Sequence, residues 1–157
     1  MTVAESSLAQ FQTDIDKWMA ENVPKNPGFL LPLTFLEVGT EQQLDFLRDW
    51  QHKLWQAGFL GMHWPTEYGG QGADPAYQGL VDKALTAHNA PITFNTIGLN
   101  WTGPLLLDVG AEDDRKRYIK NILTGDDIWC QGFSEPDHGS DLGNVQTRAV
   151  RDGDEYV

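Results

Sequence analysis

The hydrophobic period of this 157-residue chain changes once, at Ile128, and that change limits the architectures open to it. Up to Gly125 apolar residues recur at three- and four-residue spacing, the mark of helices that each bury one stripe. Beyond it, Ile128-Trp129-Cys130 and the run from Val145 to Val150 are spaced as strands, and Asp152-Gly153 ahead of Tyr156-Val157 is a hairpin turn signal. The pattern predicts a mainly α chain that ends in strands. Two or three strands without neighbours leave an unpaired sheet edge. The expectation is therefore an N-terminal piece of a longer protein, or a chain completed by a partner.

Within the helical part the boundaries follow from cap chemistry. Ser7 with Gln10 matches a capping box ahead of Leu8, Phe11, Ile15, Trp18 and Met19, which predicts a helix from about Leu8 to Asn22. Pro24, Pro27 and Pro32 make Val23 to Gly39 a connector with an apolar patch between Phe29 and Leu36. Thr40 with Gln43 opens a second helix bearing Leu44, Leu47, Trp50 and Leu54. A glycine-rich loop, Gly58 to Gly72, precedes a third helix with Asp74 as cap and Pro75 in its first turn. Gly103-Pro104 begins a short apolar helix closed by Gly110, and Glu112-Asp113-Asp114 begin a last one, with carboxylates where the helix dipole favours them.

Composition excludes several function classes. A net charge of −12 is wrong for a nucleic-acid or anionic-membrane partner, which needs clustered Lys and Arg. The four His lack metal-ligand spacing, so no metal is expected. The single cysteine, Cys130, reads as a small buried hydrophobe beside Trp129 and suits a reducing compartment. Residues 1–7 show no basic leader, and no apolar run reaches membrane-spanning length, so a cytoplasmic protein is expected.

One stretch reads as a site: Gln131-Gly-Phe-Ser-Glu-Pro-Asp-His-Gly-Ser-Asp-Leu142. Pro136 fixes its own φ and drives Glu135 toward extended backbone, while Gly139 opens dihedrals closed to other residues. The main chain there should run irregularly, with free N–H groups beside the hydroxyls of Ser134 and Ser140. Glu135 and Asp141 read as acids that hydrogen-bond turn amides rather than as a catalytic pair.

The pattern Ser-Glu-Pro-x-x-Gly-Ser-Asp-Leu, with Trp129-Cys130-Gln131 before it and Gln146-Thr147-Arg148-Ala149 after it, resembles the flavin-contacting signature of the acyl-CoA dehydrogenase family. Tyr68-Gly69-Gly70-Gln71-Gly72-Ala73 after Trp64-Pro65, and Gly110-Ala111-Glu112 ahead of Arg115-Lys116-Arg117-Tyr118, are similar to landmarks of its helical N-terminal domain. The ordered landmarks extend from about residue 40 to the end. The resemblance implies an N-terminal helical bundle domain over 1–125 and, over 126–157, the first strands of a β-barrel-like middle domain.

It further implies FAD as cofactor, an acyl-CoA substrate dehydrogenated between its α and β carbons, an electron-transfer flavoprotein or similar acceptor, and a homo- or hetero-oligomeric whole. Gln131, Phe133 and Ser134 are then the flavin-ring and ribityl contacts. Gly139 and Ser140 fall to the phosphates of the cofactor, with Ser140 also facing the acyl-CoA ligand. The family's catalytic base belongs to a C-terminal helical domain, so no catalytic residue is assigned here and the chain alone is expected to be inactive. The sequence departs from the commoner motif at Asp137-His138, where a small pair is usual, and a solvated loop histidine is the expected state. Arg115, Lys116 and Arg117 are expected to be a solvated face balancing Glu112 to Asp114, and Asn100 and Trp101 are candidates for a pocket wall. Two other classes stay open: a non-catalytic subunit that completes a flavin site with a longer partner, and a helical interaction module that binds no flavin.

Overall fold

Five helices form because each places a stripe of apolar side chains on a common core, and the computed structural model describes them within residues 7–25 and 27–157. The expectation for residues 1–6 lies outside the described residues. Helix α1, Leu8–Asn22, starts where the Ser7 hydroxyl accepts from Gln10 N at 3.2 Å. Only half of that capping box forms, because the Gln10 amide turns forward to Asp14. Helix α2, Glu41–Gln56, has the same kind of cap, Gln43 N to Thr40 Oγ1 at 3.2 Å. The Gln43 amide also accepts from Gly39 N and donates to Leu30 O, tying the connector to the helix.

Helix α3, Ala76–Ala87, begins where Asp74 Oδ1 accepts from Ala76 N. Helices α4, Gly103–Val109, and α5, Glu112–Thr124, end at Gly110 and Gly125. Gly125 stops α5 in the left-handed region, φ 83°, which a side chain would resist. Helix α1 packs on α3, and α5 lies between α2 and α4. Phe11, Ile15 and Met19, Trp50 and Leu54, Val81 and Ala84, and Ile119, Ile122 and Leu123 meet in one buried cluster. The glycine-rich loop fills the remaining volume with Phe59, Leu60, Met62, Trp64 and Tyr68. It folds back on itself through Gln71 N to Gly61 O, Gly72 N to Trp64 O and Ala73 N to Met62 O. A Cβ on Gly70 would sit 2.3 Å from Trp64 O, so only glycine permits that approach.

Two features depart from the sequence reading. Residues Gly98–Thr102 form a turn of π-helix running into α4, a wider coil that periodicity does not announce. The strands are shorter and later than predicted: Ile128–Cys130 and Val145–Ala149 are unpaired, and pairing is confined to β1, Arg151–Asp152, with β2, Glu155–Tyr156, extended by Val150 and Val157. Strand-forming residues need a neighbour to pair with, and these described residues offer none until the hairpin closes on itself.

Candidate functional site

The segment from Gln131 to Ser140 is irregular, as expected around Pro136, but Gly139 does not occupy the left-handed region closed to other residues that was expected of it. Its main chain is pinned at one place, a turn in which Glu135 N donates to His138 O at 3.1 Å and His138 N donates to Glu135 O at 3.3 Å. Among the described residues, the N–H groups of Phe133, Ser134, Gly139 and Ser140 donate to no protein acceptor. The Ser134 hydroxyl lies 3.8 Å from where a Cβ on Gly139 would stand. Nothing else crowds Gly139, so the missing side chain leaves open space in front of that hydroxyl. Phe133 is 83% exposed, and Gln131, Ser134, Gly139 and Ser140 are exposed as well.

Glu135 holds the loop in shape. Its carboxylate accepts from Gln146 N at 2.9 Å and from Thr147 N, joining the loop to the segment that leads to the hairpin. Hydrogen bonding from Thr147, then from the Gln146 amide, holds its carboxyl below the ordinary carboxylate range. Asp141 accepts from the Asn144 side chain at 2.6 Å. Both acids are thus engaged within the loop.

Behind Gln131 lies an apolar groove of about 550 Å³, walled by Phe35, Leu36, Val38, Leu44, Phe94, Ile97, Trp101 and Ile128 to Gln131. Trp101 stands on the π-turn, 54% exposed at the groove's side. Asn100 faces elsewhere, into a separate cavity of about 160 Å³ with Leu60, His63, Trp64 and Leu85. The π-turn therefore separates two spaces, and of the two residues only Trp101 lines the groove. Cys130 is exposed on the groove's margin, contrary to the buried position expected of it, because the strand that would have covered it does not form.

The basic cluster is satisfied locally. Lys116 pairs with Glu112 at 3.1 Å, Arg115 Nε donates to Leu106 O at 3.1 Å, and the Arg117 guanidinium sits 4.8 Å over the Tyr118 ring. Tyr68 donates to Glu112 at 2.7 Å. That bond leads the causes that hold the Glu112 carboxyl low and push the Tyr68 phenol up.

Sequence reading missed the two polar residues that connect groove and loop. Gln51 and Asn95 are 0% and 1% exposed, and their amides use nearly all their capacity. Gln51 Nε2 donates to Ile122 O and Leu123 O, and its Oε1 accepts from Asn95 N. Asn95 Nδ2 donates to Ile122 O at 3.1 Å and Asp127 O at 2.9 Å, and its Oδ1 accepts from Trp129 N at 3.1 Å. A Gln on a helix face otherwise apolar was the available signal.

Comparison with known proteins bears on this arrangement. The family model for the acyl-CoA dehydrogenase N-terminal domain matches residues 33–126. Acyl-CoA dehydrogenase IpdE1 of Mycolicibacterium smegmatis is 34% identical over 94% of this chain, and its counterpart in Mycobacterium tuberculosis is 32% identical over 96%. The chain spans only 37% and 39% of the length of those two relatives. Among solved structures, the Tcur3481-Tcur3483 steroid ACAD superposes with a TM-score of 0.71 at 32% identity, over 96% of this chain and 37% of that one. The ChsE4-ChsE5 complex of Mycobacterium tuberculosis superposes at 0.70 with 25% identity, over the whole of this chain and 38% of that one. With the helical order and the glycine-rich loop in place, these matches establish that the chain belongs to the acyl-CoA dehydrogenase family, over that family's N-terminal domain.

Proposed function

We propose that this chain forms one wall of the flavin and acyl-CoA site of an FAD-dependent acyl-CoA dehydrogenase. The observation that carries this reading is the loop from Phe133 to Ser140, in which the amides of Phe133, Ser134, Gly139 and Ser140 have no protein acceptor and the glycine leaves space before the Ser134 hydroxyl. Ser134 and Gln131 hold the ring and ribityl side, with Phe133 against the ring. Gly139 and Ser140 offer amide N–H and hydroxyl donors to phosphate oxygens, and Ser140 also meets the thioester ligand. Bound there, FAD would supply the acceptor for the hydride leaving the β-carbon.

The chain's own part in the reaction is to bind, orient and exclude water. The groove behind Gln131 takes the acyl group along Phe94, Ile97 and Trp101. Its volume of about 550 Å³ and its aromatic walls suit a bulky alicyclic acyl group, in keeping with the word steroid in the name of a solved neighbour. The domain division near residue 126, an electron-transfer flavoprotein or similar acceptor, and a cytoplasmic site belong to the same reading. Among the described residues no helix is long and apolar enough to cross a membrane.

A second reading is supported by the two-component names of the solved neighbours: a subunit that lends this loop to a flavin site completed by a different chain. Two preparations test both readings. The complete reading frame carrying this chain is expressed alone and together with a second acyl-CoA dehydrogenase chain from the same source, and the visible spectrum is recorded. A yellow protein bleached by a steroid-type acyl-CoA supports the enzyme. Colour only in the co-expressed complex supports the shared site, and colourless protein in both preparations refutes the flavin assignment.

A further inference from the structure

The chain crosses from the helical core to the candidate flavin loop at residues 126–131, with no regular secondary structure to hold it. Irregular backbone keeps a fixed path only where side chains or a second strand satisfy its polar groups. Here one side chain does so from both ends of the crossing. Asn95 Nδ2 donates to Asp127 O at 2.9 Å and Asn95 Oδ1 accepts from Trp129 N at 3.1 Å. The same amide reaches back to Ile122 O at the end of α5, and its main-chain N–H is fixed by Gln51 of α2.

Asn95 also lies in the segment that builds the groove. Phe94 and Ile97 flank it and line the apolar wall, while Gln131, two residues after the amide it holds, lines the same groove. We infer that Asn95 is a positioning residue for the proposed reaction: it sets the distance between the acyl wall at Phe94, Ile97 and Trp101 and the flavin loop that starts at Gln131. This inference rests on the proposed flavin reading.

A residue that served only to fill the core would not need this chemistry. Leu or Met would pack as well without desolvating an amide, and the cost of burying Asn95 is offset only because each polar atom has a partner. A Cβ on Gly98 would lie 2.6 Å from Asn95 Oδ1 and 2.7 Å from its Nδ2, so the amide holds its present place only because residue 98 has no side chain. Gly98→Ala therefore disturbs the amide without deleting it.

The test uses the flavin-loaded complete protein, with its partner if one is required. Asn95→Asp replaces the two donated bonds by a carboxylate oxygen facing carbonyls, and Gly98→Ala displaces the side chain. Ile119→Val, a fully buried core change away from the crossing, is the control for lost stability. In Asn95→Asp or Gly98→Ala we expect kcat to fall about tenfold or more and the flavin absorption band to shift, because small displacements of a reacting pair are costly. Ile119→Val should leave both unchanged at the same distance below its melting temperature.

If both variants lower only the melting temperature and keep the wild-type kcat, KM and spectrum, Asn95 is structural and the inference is overturned. Should Asn95→Asp fail to fold, Gly98→Ala and the hydrogen exchange of the wild-type Trp129 amide decide the matter. Protection equal to that of α5 supports the inference, and rapid exchange overturns it. Loss of flavin affinity in Ser134→Ala and Ser140→Ala, without any effect of the Asn95 and Gly98 changes, would remove this inference and leave the flavin reading standing. A protein that never takes up flavin would remove both.

Discussion

The helical region and the tail after Gln131 are built on opposite terms. In the first, side chains from four helices meet in a core whose central members are wholly buried, and the three buried polar residues among those described, Gln51, Asn95 and Thr124, are all hydrogen-bonded. In the second, every residue from Gln131 onward is exposed or half-exposed, and the backbone is held by two tight turns, the Glu135 carboxylate and one short hairpin. The contrast shows where each task is placed. Stability comes from the part with the buried core, and ligand chemistry is assigned to the part whose loop amides are left without protein acceptors, as expected where binding segments come from the less stable end of a structure.

The largest test of that contrast is a matched pair of leucines. Leu54→Ala removes a side chain with no exposed surface and should lower unfolding free energy by about 2–5 kcal/mol, since the surrounding helices cannot fully close the cavity. Leu142→Ala removes one that is 77% exposed and should change it by less than about 0.5 kcal/mol. Urea unfolding followed by helix circular dichroism measures both. Equal losses would mean that the tail is packed in solution and that the contrast is false.

Next in size is the Glu135 pin. Glu135→Ala should weaken flavin binding about tenfold with little change in melting temperature, because it frees the Gln146 and Thr147 amides, unties the loop from the segment that leads to the hairpin and touches nothing in the core. Its folded carboxyl titrates below the ordinary value, so its contribution is complete above the ordinary carboxylate range and is lost as pH falls through the lowered one. The Thr147 amide resonance should follow that titration in NMR. A midpoint at or above the value for an unstructured glutamate would contradict the geometry.

How far the sequence foretold this division depends on what holds each residue. Helix limits were legible because caps are local: Ser7, Thr40 and Asp74 bind amides two or three residues away, and Gly125 stops α5 through its own φ. The site loop was legible as irregular backbone because Pro136 acts on its own dihedrals and on those of Glu135, whereas Gly139 does not take the left-handed φ its type suggested and matters there only for the side chain it lacks. What a residue meets across the fold was hidden. Gln51 reaches carbonyls at Ile122 and Leu123, and Asn95 reaches Asp127 and Trp129, separations at which composition carries no signal. The predicted strands at Ile128 and Val145 failed for the same reason, since a strand is defined by its neighbour and not by its own residues.

A smaller effect should come from the contact between loop and helix at Tyr68. Tyr68→Phe removes the bond to Glu112 and should lower the melting temperature modestly near neutral pH. Glu112 is held low, so its share of stability is present above the ordinary carboxylate range and fades as pH falls through the lowered value. The difference between wild type and variant should therefore shrink in acid. A difference independent of pH would show that the phenol acts by packing alone.

The smallest expected effect separates the two regions by function. Arg117 belongs to the one dense basic cluster of the chain, yet its guanidinium covers the Tyr118 ring at 4.8 Å, on the helical side. An exposed contact of this kind is worth about 0.5–1 kcal/mol. Arg117→Ala should lower the unfolding free energy from urea titration by that amount and leave KM for a CoA thioester unchanged within about twofold, since phosphate recognition is assigned to amides and hydroxyls of the tail. A large rise in KM in the variant, with a salt-sensitive KM in the wild type, would place the anionic end of the ligand on α5 and add charge recognition to a helical region otherwise assigned the core and the acyl wall.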